Sequence, residues 1–148
     1  MIDANGWDRD DYVALIQSAA KGGFMPEHWL QFATCESGLK PTAKNPYADA
    51  RGLWQAMGST LKNLGWAAGD PDFEAAGGDF CKASIPVQIR WSGRYLEGWR
   101  ARYKLAWSRA GDMYLCNFTP AYLPHKDEPF FTLYDSTKDP QTYWVNRG

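Results

Sequence analysis

The chain has 148 residues, 45% hydrophobic and 22% charged, with 16 basic and 17 acidic side chains and a formal net charge of −1. That is the length of one domain, 1–148, with an ordinary globular balance, which excludes a disordered, collagen-like or coiled-coil chain. Without a basic excess nothing is on hand to grip a phosphate backbone, so nucleic acid is not expected as a partner.

Asp8 caps a first predicted helix, with Asp10 and Asp11 in the first turn, where the helix dipole favours acids. Tyr12, Leu15, Ile16 and Ala19 form its apolar stripe, and Gly22-Gly23 ends it. Pro26 opens a second helix with the stripe Trp29, Phe32, Ala33 and then Glu36. Ser37-Gly38 and Pro41 stop that helix. Residues 40–52 read as a loop, followed by short helices over 59–64 and 71–76 and a break at Gly77-Gly78. The longest helix is predicted from Ser84 to about Trp107, with the stripe Val87, Trp91, Tyr95 and Trp99 and tolerated breaks at Gly93 and Gly98. A last helix starts at Asp112 and stops before Pro120. Residues 125–148 lose periodicity and read as a wrap over the helices. No alternating strand pattern is convincing, so the predicted class is all-α or mainly α.

Aromatic residues make up 16% of the chain. A small domain buries only some of them, so about two-thirds are expected in the core and the rest in a groove for a flat or semi-apolar ligand. Three cysteines (Cys35, Cys81, Cys116) are too few for a disulfide framework. With only His28 and His125 and no Cys-x-x-Cys, no metal site and no cofactor is expected. No run is apolar enough to span a membrane. The first residues have neither a basic nor an apolar region of the kind a secretory signal carries, so Cys35 and Cys116 are expected as buried free thiols, with a disulfide between them as the alternative.

Glu36 is the anomaly. A carboxylate on an apolar stripe costs free energy unless it is paired or functional, and in a last helical turn the dipole opposes it further. Both effects raise its pKa toward the range that suits a general acid. From pattern alone, the competing account is a rim glutamate that reaches water or pairs with an arginine.

The blocks Glu36-Ser37-Gly38, Arg51-Gly52-Leu53-Trp54-Gln55-Ala56-Met57 with Thr60, Pro86-Val87-Gln88-Ile89 through Tyr95-Leu96, and Asn117-Phe118-Thr119-Pro120 follow one another at spacings that resemble the soluble lytic transglycosylase (SLT) family. The resemblance covers roughly residues 26–123. It departs from the family pattern at Trp54 (Met in the family), Gly58 (Pro), Gln88 (Asn), Cys116 (Tyr) and Phe118-Thr119 (Ala-Gly). The Asn-Phe-x-Pro-Ala form looks like that of phage-encoded members. The resemblance implies a lysozyme-like, mainly α fold and a monomer acting on peptidoglycan glycan strands. It further implies Glu36 as the single catalytic acid/base, with 1,6-anhydro-N-acetylmuramic acid ends as product. It also implies substrate-lining roles for Gln55 and Met57 and, by position, for Asn45, Tyr95 and Asn117. Read as residues, Asn45 is equally a turn former, Gln55 a loop cap and Tyr95 core. Asp49, the nearest second carboxylate, reads mainly as a turn residue. A hydrolytic muramidase and a non-catalytic glycan-binding or virion protein remain alternatives. Without a signal, a wall enzyme is expected to be a phage lysin released at lysis, a virion component, or a domain excised from a longer chain.

Overall fold

The structure, a computed structural model, describes residues 3–128. In chain order these form α1 (Arg9–Gly22), α2 (Pro26–Ser37), β1 (Ala50–Arg51), β2 (Ala56–Met57), α3 (Gly58–Asn63), α4 (Pro71–Ala75), α5 (Ile85–Tyr103) and α6 (Ala110–Phe118). Two 3-10 turns, Phe80–Lys82 and Pro120–His125, complete the set. The fold is mainly α, as the periodicity predicts. Of the expected wrap over 125–148, only the residues up to Glu128 are described.

The α1 N-terminus is a reciprocal cap. The Asp8 carboxylate accepts from the Asp10 and Asp11 N–H groups, and the Asp11 carboxylate accepts from the Asp8 N–H. Such a cap contributes about 1 kcal/mol. Gly23, in the left-handed conformation, closes the helix. The buried face runs through Asp11, Leu15, Ala19 and Gly22. Ile16, expected on the stripe, is 57% exposed. The face turned to the core is one helical position narrower than the apolar pattern.

α5 packs along α1 and also touches α6. Gly93 makes the first contact close: a Cβ there would lie 2.5 Å from the Ser18 hydroxyl. Neither Gly93 nor Gly98 breaks the helix. It ends at Tyr103, short of the predicted Trp107, because Lys104 turns left-handed and the Leu105 N–H closes back on Arg100 O at 3.1 Å. The buried positions are Gln88, Ile89, Trp91, Ser92 and Leu96. Val87, Tyr95 and Trp99 of the predicted stripe are half-buried at its edge.

Trp7, Trp29, Trp54 and Trp91 are fully buried with Phe32, Phe80, Leu15 and Leu96 in one apolar cluster. Trp29 Nε1 donates to Ser92 Oγ at 2.8 Å, satisfying a buried indole and linking α2 to α5. The Asp72 carboxylate accepts from Arg90 (2.7 and 2.8 Å) and from Trp91 Nε1 (2.8 Å), which fastens α4 to α5.

α6 begins at Ala110, two residues before the predicted start. Asp112, fully buried in its first turn, explains the shift. Its carboxylate accepts from the Ser108 N–H and hydroxyl at 2.8 and 3.0 Å and from Arg109 Nε at 3.1 Å, with Lys126 Nζ 3.4 Å away. Burial alone would raise its pKa, but these donors hold it below the ordinary value. Lys126 thereby ties the chain after the second 3-10 turn to the start of α6.

Two strands were not expected. β1 and β2 pair antiparallel, with Ala50 opposite Met57 and Arg51 opposite Ala56. At two residues each they are too short for alternation to register in a sequence.

Candidate active site

Glu36 occupies the penultimate position of α2, half-buried at the edge of the apolar face. Gly38, left-handed, ends the helix by donating to Ala33 O and Thr34 O. Burial pushes the Glu36 carboxyl up to about 7, while a hydrogen bond from the Asn117 side chain pulls in the opposite direction. The C-terminal end of the helix dipole acts with burial. Near neutral pH the group is therefore divided between acid and base forms.

The wall beside Glu36 is the β1–β2 hairpin, and side chains from other elements hold it by its backbone. The Ser37 hydroxyl donates to Leu53 O at 2.7 Å, with Ala33 O also within 3.0 Å. Asn117 Nδ2, on α6, donates to Trp54 O at 2.7 Å. Asn117 thus touches both the carboxylate and the hairpin.

Gln88 of α5 is the third fastening, and it is fully buried. Its Oε1 accepts from the Leu53 N–H at 2.8 Å, and its Nε2 lies 3.0 Å from Pro41 O, 3.2 Å from Phe80 O and 3.0 Å from Ala83 O. Gly52 is dictated by this contact. It is left-handed, and a Cβ there would lie 2.5 Å from Gln88 Oε1 and 3.0 Å from the Phe80 ring. In the sequence Gln88 stands out only as a departure from the family's Asn. The signal available was an amide one turn into a helix next to apolar neighbours.

Within the hairpin wall, Trp54 stacks on Tyr95 with ring centroids 5.0 Å apart and meets Phe80 edge-on at 6.2 Å. The Tyr95 hydroxyl donates to Cys116 O at 2.6 Å, and burial pushes its pKa up to about 12. Tyr95 is therefore a rigid, neutral part of the wall. The Trp54 indole N–H is buried and meets no protein acceptor.

The six sequence candidates divide. Glu36, Asn117 and Tyr95 come together, since Asn117 donates to the Glu36 carboxylate and the Glu36 charge bears on Tyr95. Gln55 is a non-glycine residue in the left-handed region (φ 49), and its Nε2 donates to Gly52 O at 3.1 Å within its own loop. Asn45 is exposed, and its Oδ1 accepts from the Tyr47 N–H at 2.8 Å in a local turn. Met57 is exposed at the start of α3. Asp49 is exposed and ion-paired with Arg51, and its carbonyl accepts from the Gly58 N–H at 3.1 Å. That places it in the framework of the hairpin.

The cysteine expectation needs correcting. Cys116 and Cys81 are buried, but Cys35 is exposed, and all three are free. Cys35 precedes Glu36 and so points about 100° around the helix from it, away from the core. Tyr114 of α6 lies close enough to feel the charge of Glu36. Among the described residues no group of His, Cys, Asp and Glu could hold a metal ion, and no helix is long and apolar enough to cross a membrane.

The model of the transglycosylase SLT domain family matches residues 14–75. Comparison with curated proteins and with solved structures finds no match. The matched span takes in most of α1, α2 with Glu36, the hairpin, α3 and α4. Gln88, Tyr95 and Asn117, which fasten the hairpin and frame the carboxylate, lie beyond it.

Proposed function

We propose that the protein is a peptidoglycan lytic transglycosylase that cleaves the β-1,4 bond between N-acetylmuramic acid and N-acetylglucosamine. The observation that carries this reading is a glutamate half-buried at the end of α2, its carboxyl pushed up to about 7 by that burial, located inside the segment similar to the SLT domain. In this mechanism protonated Glu36 gives its proton to the glycosidic oxygen as the bond to C1 breaks. The 2-acetamido group of the muramic acid stabilises the oxocarbenium-like centre, as in substrate-assisted glycosidases. Glu36, now a carboxylate, takes the proton from the O6 hydroxyl, and O6 closes on C1. The products are a free 4-hydroxyl on N-acetylglucosamine and a 1,6-anhydro end, and Glu36 is again protonated.

A group poised near its pKa serves both proton transfers at neutral pH. The Asn117 amide keeps the carboxylate oriented, and the stacked Trp54 and Tyr95 exclude water from its inner side. Asp49, exposed and paired with Arg51, is poorly disposed to act as the second carboxylate that a hydrolytic muramidase would use. The setting we propose is lysis or wall penetration by a phage, from the Asn-Phe-x-Pro-Ala form of the α6 block.

Mass spectrometry of peptidoglycan digests tests the reading. The expected muropeptides lack one water relative to hydrolytic products and resist borohydride. Reducing ends as the sole products would replace it with a muramidase. An absence of soluble muropeptides from every wall type would replace it with a binding role.

A further inference from the structure

A cavity of about 460 Å³ opens between α3, α5 and α6, bordered among others by Thr60, Asn63, Tyr95, Trp99, Arg102 and Asn117. Two of these residues belong to the Glu36 surroundings: Asn117 hydrogen-bonds the carboxylate, and Tyr95 feels its charge. The cavity therefore shares two residues with the surroundings of Glu36. Its size falls within the ordinary range for a small-ligand pocket.

Arg102 is the single cation on this lining. Its position in the last turn of α5 suits the helix dipole, which by itself would explain a basic residue. Two further features go beyond that. The Arg102 guanidinium lies 5.6 Å from the Trp99 ring and 5.4 Å from the Tyr103 ring. Those two rings are stacked, 5.7 Å apart and 2° from parallel. The rings give the guanidinium an aromatic surface to rest on while Arg102 itself stays exposed. Among the described residues it forms no ion pair, like Arg9 and Arg94 but unlike Arg51, Arg90, Arg100 and Arg109, and of these it alone borders this cavity. An exposed guanidinium with free donors beside a mixed polar and aromatic cavity is able to receive a carboxylate in bidentate fashion.

We propose that this cavity binds a carboxylate of the peptide stem carried by the muramic acid residue, with Arg102 as the recognising group; this rests on the peptidoglycan reading above. The sugar rings of the strand are uncharged, and the lactyl carboxyl of a substituted muramic acid is tied up in the amide to the stem. The free carboxylates near the scissile bond therefore belong to the stem. The protein then selects stem-bearing strands over bare ones.

The test compares cleavage of intact peptidoglycan strands with the same strands after amidase removal of the stems. Arg102→Gln is expected to raise KM on stem-bearing strands with kcat little changed. Its preference for stem-bearing over bare strands should fall about tenfold, the loss of one charge-assisted contact. Arg102→Lys should restore part of that preference. Asn63→Asp, a nearly isosteric change that puts a negative charge at the cavity, should lower affinity for stem-bearing strands in the same direction, which covers the case of an Arg102 variant that fails to fold. An equal effect on both substrates would overturn the proposal and assign the cavity to a glycan group, the uncovered lactyl carboxylate included. An unchanged preference in Arg102→Gln and Asn63→Asp would overturn it as well. Failure of the parent protein to cleave either substrate would overturn the transglycosylase reading instead.

Discussion

The α1–α5 pair and the wall beside Glu36 are held together by different means. Where α1 meets α5, apolar side chains repeat at helical spacing and Gly93 lets the backbones approach. The association is distributed over many small contacts, none of which by itself sets the position of the Glu36 carboxylate. The hairpin wall has only two-residue strands and little periodic burial. Three side chains from three helices, Ser37, Gln88 and Asn117, grip its backbone at Leu53 and Trp54. Concentrated polar fastening places backbone atoms closely, and a carboxylate that must face a reacting bond needs such placement. The cost is that each fastening is individually critical.

The largest effect is expected at Glu36. Glu36→Gln keeps the shape of the side chain and removes the titrating proton, so muropeptide release should fall about 10²–10⁴-fold. The variant should remain folded. Because burial raises the folded-state pKa of Glu36 from 4.5 to about 7, the fold favours its protonated form. That preference is complete below the unfolded value and is lost as pH rises through the folded one. With a discount for the partial exposure of the carboxylate, the stability of Glu36→Gln relative to the parent should improve by about 2 kcal/mol between pH ~5 and pH ~8. Denaturant midpoints at the two pH values measure this. A stability difference that does not change with pH would mean that Glu36 ionises as an ordinary exposed acid.

Gln88 is the sharpest test of the contrast. Gln88→Leu keeps the volume and removes the amide, leaving the Leu53 N–H and the carbonyls of Pro41, Phe80 and Ala83 without their partner. Stranded buried polar groups cost about 1–3 kcal/mol each when water cannot reach them, so a net loss of roughly 3 kcal/mol is expected. Activity should be lost with it as the hairpin shifts. Hydrogen exchange at the Leu53 amide reports the same event locally. If apolar burial held the wall, Leu would be tolerated or even stabilising, and the distinction between the two regions would collapse.

The contrast also explains what could be read from the sequence. The caps at Asp8 and Gly23, the Pro26 start and the Gly38 stop were legible because each rule acts over four or five residues of one helix. Glu36 was legible because it violates such a rule. Gln88 was not: its partners lie 35 and 47 positions away at Leu53 and Pro41, and no local pattern encodes a contact of that span. The role of Gln55 is local, a bond to Gly52 O three residues away, and it agrees with the loop-cap reading of that residue. Ile16 and Cys35 were misjudged through their neighbours. A helix face is set by where its packing partner lies, to within one residue, and the apolar pattern is broader than that.

A smaller effect is expected at Asn117. Its amide donates to the Glu36 carboxylate and lowers its pKa, against the larger effect of burial. Asn117→Ala should therefore move the alkaline limb of kcat/KM to higher pH, as the acid form of Glu36 persists further. It should also cost about 1 kcal/mol through the lost bond to Trp54 O. A pH profile that stays in place while stability falls would confine Asn117 to holding the hairpin.

The smallest effect on the chemistry is expected on the helical side. Ile16 is 57% exposed although its spacing matches the apolar stripe, while Leu15 beside it is 1% exposed. Ile16→Lys should change stability by no more than about 0.5 kcal/mol, as surface changes away from special features do. Leu15→Ala should cost about 2–5 kcal/mol through lost burial and the cavity left behind. Both substitutions leave the hairpin fastenings untouched, so cleavage by the folded fraction should keep its pH profile and its product in either variant. Thermal melts paired with product analysis separate the two quantities. A change in product chemistry from Leu15→Ala would mean that strain in the α1–α5 pair reaches Glu36. If Ser37, Gln88 and Asn117 themselves position the site, the chemistry should be preserved on a weakened frame.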